Sequence, residues 1–223
     1  MLSFLAAKSP QRTRVAHQNP FPLEDGRSKC EFTSKDSKYS VKQWCPAGSR
    51  IMNPLLHIHH SQTENFYVRE GTGVWTMPYH DDPTKRRFTV SASAKSEEDR
   101  KVFIPLGEYH RFENLDPNQV LVIEASYDRP EYESEEMFFR NFLTYLSDCE
   151  KARMAPSVYQ LNAFLHQFRC PPALPVPGPK WVKYWYSCFM CWFQGVVVGQ
   201  WILGYETTYP EYYEPTLRSS KSS

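Results

Sequence analysis

Four residues in two short segments have the types and spacing to hold a metal ion. The first segment runs His57-Ile58-His59-His60 and continues to Glu64 and Gly71. The second passes Pro105 and Gly107 to His110 and Asn114. Side chains alternate faces along a strand, so His57 and His59 share a face and Ile58 takes the other. Glu64 opens the next strand after a short turn and can return beside both histidines. Three imidazoles and one carboxylate facing one interior would bind a divalent transition metal. Neutral imidazole suits Zn, Cu, Fe and Ni, and the carboxylate admits Mn and Fe(II), with Fe(II) favoured. On a six-coordinate ion these four ligands leave two positions for substrate or dioxygen. A closed structural zinc site would use thiolates, and no cysteine lies near these histidines. Four of the chain's seven histidines fall in the two segments, a concentration that ordinary core or surface histidines do not explain. His60, on the opposite face, reads as an ordinary surface residue.

These segments resemble the two motifs of the cupin superfamily. His57, His59, Glu64 and Gly71 match H-x-H-x4-E-x6-G, and Pro105, Gly107, His110 and Asn114 match P-x-G-x2-H-x3-N. The motifs stand in the family's order, with 33 residues between Gly71 and Pro105, more than the shortest family spacing. The excess lies in the charged stretch 80–101. One departure is that the family's leading glycine, usually six residues before the first histidine, has its counterpart in Gly48, nine before His57. The resemblance covers residues 28–127. It implies a mainly β fold, a jelly-roll barrel with a metal in its mouth, and His57, His59, Glu64 and His110 as ligands. It also implies structural roles for Gly71, Pro105, Gly107 and Asn114, and allows a homodimer. Beyond the barrel, the helical extension, proline linker and Gly-rich apolar helix are similar to those of small fungal cupin-domain oxidoreductases. Some of these are encoded with polyketide, including salicylaldehyde-type, biosynthetic genes.

The elements that must position these residues are legible as texture. From residue 28 to 127, short β-branched and aromatic runs alternate with turn signals every 8–12 residues or so. Strands are expected at 40–44, 55–59, 64–70, 73–77, 88–91, 101–104 and 120–127. Alternation places Phe66 on the face of Glu64 and Phe112 on that of His110, so these rings are the expected substrate-pocket walls. Trp75 and Phe103 are further aromatic candidates; Tyr67 and Tyr109 have the wrong parity. Residues 1–27 read as a loosely ordered arm and 28–130 as the barrel. Residues 131–170 read as a helical extension packed on the barrel, with helices near 134–152 and from Ser157, where Ser157 and Gln160 have capping-box spacing. Residues 171–183 form a stiff proline-rich linker, 184–205 an apolar helix and 206–223 a tail.

The uncharged stretch Tyr184–Tyr205 is long enough to cross a bilayer. Lys180 and Lys183 precede it, aromatic residues crowd its ends, and Ser187, Cys191, Gly195 and Gly199 make a small-residue seam. Gln194 and Gln200 fit a soluble helix equally well. The expectation is an intracellular protein, with the cupin domain cytoplasmic if the helix anchors it. Residues 1–23, basic and free of acids, also fit a transit peptide.

A net charge of +1 argues against a nucleic-acid-binding face. There is no nucleophile elbow and no phosphate-cradling glycine loop. Cys188 and Cys191 read as small helix residues rather than a redox pair. The favoured function is a metal-dependent oxidoreductase acting on a small hydrophobic or aromatic, polyketide-like substrate. The alternatives are a non-oxidative metal cupin (isomerase, cyclase or decarboxylase) and a non-enzymatic, membrane-associated binding cupin.

Overall fold

The computed structural model describes residues 2–34, 37–128 and 131–215. The chain divides into two compact units: Pro20–Pro22 with Gly26–Pro130, and Met1–Asn19 with Leu23–Asp25 and Glu131–Ser223.

The first unit is built from strands β1 (Phe21–Leu23), β2 (Ser28–Phe32), β3 (Val41–Cys45), β4 (His57–Ile58) and β5 (Glu64–Glu70). They are followed by β6 (Thr72–Thr76), β7 (Arg87–Ser91), β8 (Lys101–Ile104), β9 (Tyr109–Asn114) and β10 (Leu121–Tyr127). Among the described residues these form two antiparallel sheets, ordered β1-β2-β3-β10-β5-β8 and β4-β9-β6-β7. The arrangement is the cupin-type jelly roll that the motifs imply, with a helical extension following it. Strand β10 is buried almost continuously because β3 and β5 flank it on both sides. Its run alternates buried and half-buried from Ile123 to Tyr127, and only buried Val122, at the register shift against β5, breaks the alternation.

Strands β5 and β8 have the limits expected from sequence. Strand β4 is only two residues long, and Leu55, expected inside it, is 78% exposed. The expected list lacked β1, β2 and β9. In β2, Ser28, Cys30 and Phe32 are buried while Lys29 and Glu31 are half-buried, so the alternation is real but two of its three buried positions are serine and cysteine. The charged excess at 80–101 lies on exposed turns around β7. One of them is capped by Asp82, whose Oδ1 accepts from the Thr84 N–H at 2.9 Å.

The second unit is helical, with α1 (Tyr132–Lys151), α2 (Val158–Gln167) and α3 (Lys180–Trp192), which continues as a π-helical segment, Phe193–Leu203. The aromatic stripe of α1 meets α2's end, where Phe138 stacks on Phe168 at 4.1 Å. The opposite side of α1 buries polar groups and uses them as ties. Asp148 accepts from Thr13 N–H at 2.8 Å, Thr13 Oγ1 at 2.6 Å and the Tyr212 hydroxyl at 2.7 Å. Arg140 donates to the Val15 carbonyl at 2.9 Å and to Glu136 at 2.7 Å. Residues 12–15 are thus fastened, not loose, and Val15 is fully buried. Tyr212 belongs to the same core.

Two local expectations fail. Ser157 caps α2 without a side-chain hydrogen bond. Gln160, the expected partner of that capping box, instead donates to the Glu206 carbonyl at 2.8 Å and accepts from Tyr209 at 2.6 Å. The apolar helix starts at Lys180, on the stiff dihedral of Pro179, so Lys180 and Lys183 lie on it. The proline-rich segment runs back along α3, with Leu174 N–H donating to Ser187 Oγ at 3.2 Å.

Candidate metal centre

Antiparallel pairing sets β4 beside β9 with His57 directly opposite His110. Glu64 comes from the other sheet, at the start of β5. His59 follows β4 by one residue and holds the Gly107 N–H on its carbonyl at 3.0 Å. This couples the first motif to the turn of the second. That turn, Pro105–Glu108, has Gly107 at φ +74° in its third position, where a positive φ favours glycine. Asn114 closes the second motif. Its amide donates to the Cys45 carbonyl at 2.9 Å and the Gln119 carbonyl at 2.8 Å, and its oxygen accepts from Asp116 N–H at 2.9 Å.

The four side chains converge. The ligating atoms of His57, His59, Glu64 and His110 all lie within 4.8 Å of one another; His59, Glu64 and His110 are buried, and His57 is half-buried with its ring turned inward against them. Glu64 Oε2 stands 2.9 Å from His110 Nε2 and 3.6 Å from His59 Nε2. His60 is exposed, as its parity predicts.

The protonation pattern suits ligation. Burial, reinforced by the His110 and His59 rings, holds His57 well below the ordinary imidazole range, against weaker opposing effects of Glu64 and the Leu55 carbonyl. Burial and the neighbouring His110 and His60 do the same for His59. Neutral imidazole is the form that binds a metal. His57 Nδ1 lies 2.8 Å from the Leu55 carbonyl and His110 Nδ1 lies 3.0 Å from the Glu108 carbonyl. A carbonyl only accepts, so each Nδ1 carries the proton and each Nε2 faces inward with its lone pair, the usual outer support of a metal-bound histidine. Glu64 Oε2 and the inward Nε2 of His110, 2.9 Å apart, are two donors that a divalent cation between them would share. The donor set therefore fits a transition metal.

Beside this layer lies an aromatic one. Phe66 and Phe112, each two residues beyond a candidate ligand on its own strand, meet at 5.4 Å between ring centroids. Trp75 packs on Phe66 at 5.8 Å and on Phe112 at 5.9 Å, and is fully buried. Phe103 does not join them. It projects outward between buried Val102 and Ile104 and is 56% exposed. Sequence reasoning passed over Tyr127. It pairs with Glu64 across β10 and β5, and its ring lies 5.6 Å from that of His59. Only the strand pairing reveals this, because Tyr127 lies outside both motifs. Two buried donors, the Gln62 amide and the Trp75 indole N–H, have no acceptor among the described residues.

No protein-family model matches the chain. It is similar to "Probable oxidoreductase virH" of Hypocrea virens, 28% identical over 92% of this chain and 90% of that protein. It is also similar to "Oxidoreductase iacF" of Pestalotiopsis fici, 26% identical over 85% of this chain and 93% of that protein. Among solved structures, the Schizosaccharomyces pombe Cnp3 cupin domain matches 49% of this chain and 69% of its own, with 14% identity and a TM-score of 0.34.

Proposed function

We propose that this chain is a metal-dependent oxidoreductase of the cupin type, acting on a small hydrophobic or aromatic substrate. The observation that carries the metal is the convergence of three imidazoles and one carboxylate within 4.8 Å. The relatives named as oxidoreductases, matched over most of their length, support the reaction class. His57, His59, Glu64 and His110 would hold the ion, with Fe(II) favoured. When bound, the ion supplies a Lewis-acidic, redox-capable centre with positions left for other ligands.

The chain's own residues do the rest. The carbonyls of Leu55 and Glu108 fix the two ring tautomers. Phe66, Phe112 and Trp75 form an apolar wall that excludes water and suits an aromatic substrate. The Tyr127 ring stands beside the ligand layer, 5.6 Å from that of His59. A polyketide-derived substrate in secondary metabolism is the reading that the fungal resemblance favours.

The test is elemental analysis of the purified whole chain beside His57→Ala and His110→Ala, followed by oxygen-consumption assays on phenolic and aldehyde substrates. The expected result is near-stoichiometric transition metal, lost in both variants, and substrate-dependent oxygen uptake that falls with it. A folded chain that takes up no Fe(II), Mn(II), Ni(II) or Zn(II) would remove the metal. Metal-dependent turnover without oxygen uptake or any other redox change would move the chain to the isomerase, cyclase and decarboxylase class.

A further inference from the structure

The helix Lys180–Leu203 has two unlike faces. One is small and covered. Ser187, Cys191, Gly195 and Gly199 are buried, and the glycines lie against the backbone of α2. A Cβ at Gly195 would stand 2.4 Å from the Asn162 carbonyl oxygen, and one at Gly199 3.0 Å from that of Tyr159. The Cys191 thiol reaches the same Asn162 carbonyl at 3.7 Å, and the Asn162 amide donates to Gln194 at 2.8 Å. The other face is large, aromatic and open. Trp181 is 67% exposed, Trp185 65%, Phe189 54% and Trp201 63%. No formal charge occurs between Lys183 and Glu206. At the far end, Leu2 N–H donates to the Ile202 carbonyl at 2.6 Å, which sets exposed Phe4 and Leu5 next to the same end of the helix.

We propose that this face binds the surface of a lipid bilayer, with the helix lying in the headgroup region and not crossing it. Soluble monomers rarely expose an apolar patch that extends along a whole helix. Tryptophan, with an apolar body and one N–H, is the side chain that favours the boundary between headgroups and acyl chains. The exposed tryptophans are spread along the helix from Trp181 to Trp201, which matches an extended slab better than a local pocket. Exposed Lys180 at one end suits an anionic surface.

Crossing conflicts with the covered face. The helix would have to leave α2, breaking the Asn162–Gln194 hydrogen bond and exposing Gln194 to hydrocarbon, or draw in α2 with its polar Gln160, Asn162 and His166. The small-residue seam that would bring two membrane helices together is already closed against α2. A second copy would have to pack bulky indoles against bulky indoles.

The experiment mixes the purified whole chain with phosphatidylcholine vesicles, with and without phosphatidylserine. It reads flotation and tryptophan emission. The chain should float with the vesicles, most strongly with phosphatidylserine, and its emission should shift to the blue. An alkaline carbonate wash should release it. Lipids brominated near the headgroup should quench more than lipids brominated near the chain ends. The triple variant Trp181→Gln, Trp185→Gln, Trp201→Gln should keep its circular dichroism spectrum and partition about tenfold more weakly or worse. Retention after the wash, or stronger deep than shallow quenching, would mean a crossing helix and would overturn the proposal. A chain that ignores both vesicle types would overturn it too. If sedimentation then gave a dimer that the triple variant dissociates, the face would belong to a second copy. The quenching arm uses the unaltered chain, so a misfolded variant does not blunt the test.

Discussion

Replacing each of two motif glycines by alanine should give two different losses, because the same backbone conformation meets different surroundings. Gly71 joins β5 to β6 with φ +73°, and Gly107 presents His110 with φ +74°. The dihedral cost of a Cβ is therefore shared, about 1–2 kcal/mol, offset by about 0.4–1 kcal/mol from a stiffer unfolded chain. Around Gly107 a Cβ meets nothing within 4 Å, so the net loss there should be about 1 kcal/mol. At Gly71 the Cβ would stand 2.6 Å from the Val120 carbonyl oxygen and 3.2 Å from the Leu121 Cα. Those atoms are main chain leading into β10, which β3 and β5 hold on both sides, so they cannot swing aside as a side chain would. Overpacking of this kind adds about 1–3 kcal/mol. Gly71→Ala should lose about 2–4 kcal/mol. Urea unfolding of both variants, followed by far-ultraviolet circular dichroism at constant m-value, measures the gap. Equal losses, or a greater loss at Gly107, would refute the assignment of the Gly71 cost to the Val120 carbonyl.

Two further outcomes follow from the site's surroundings. Asn114→Ala removes three hydrogen bonds, one buried and two part-buried, and strands the carbonyls of Cys45 and Gln119; it should cost about 2–4 kcal/mol in the same assay, and a loss under about 1 kcal/mol would show that the motif asparagine is not a structural tie. Below the ordinary imidazole range the unfolded chain binds protons that folded His57 and His59 refuse, so stability, fully present above that range, must fall with pH until the lowered folded-state values are reached. Chelator-treated protein should lose up to about 1.4 kcal/mol per pH unit for each ring, and His59→Asn should make the slope shallower; a flat profile would mean that the rings are not held neutral.

Much of the site was legible because its parts are local. Two-residue alternation put His57 and His59 together, and Phe66 and Phe112 on the faces of Glu64 and His110. The pairing of sheets was not local. Nothing near Tyr127 announces that β10 will set it opposite Glu64. Phe103 looked like a pocket residue because it is aromatic and near the second motif, yet its own neighbours Val102 and Ile104 claim the inner face of β8. Strand β2 hid because serine and cysteine carry its buried positions. Gln160 had capping-box spacing after Ser157, but spacing says nothing about a competing acceptor. A carbonyl and a tyrosine from 46 and 49 residues away take the side chain instead.

The same limit governs the apolar helix. Small residues four apart state only that some backbone must come close; they do not say whose. Read alone, Gly195 and Gly199 fit a membrane dimer seam as well as a tertiary contact. The structure supplies the partner, since the carbonyls of Asn162 and Tyr159 occupy the space that a side chain at either position would need. Once that face is used inside the chain, the remaining aromatic face stays exposed among the described residues. On the proposal made above, that face lies on a bilayer surface and the helix does not span it. Likewise, the jelly roll settles where four donors meet but not what reaction follows, since one fold carries many chemistries. The rings of Phe66, Phe112 and Trp75 beside the donors are what support the proposed hydrophobic or aromatic substrate.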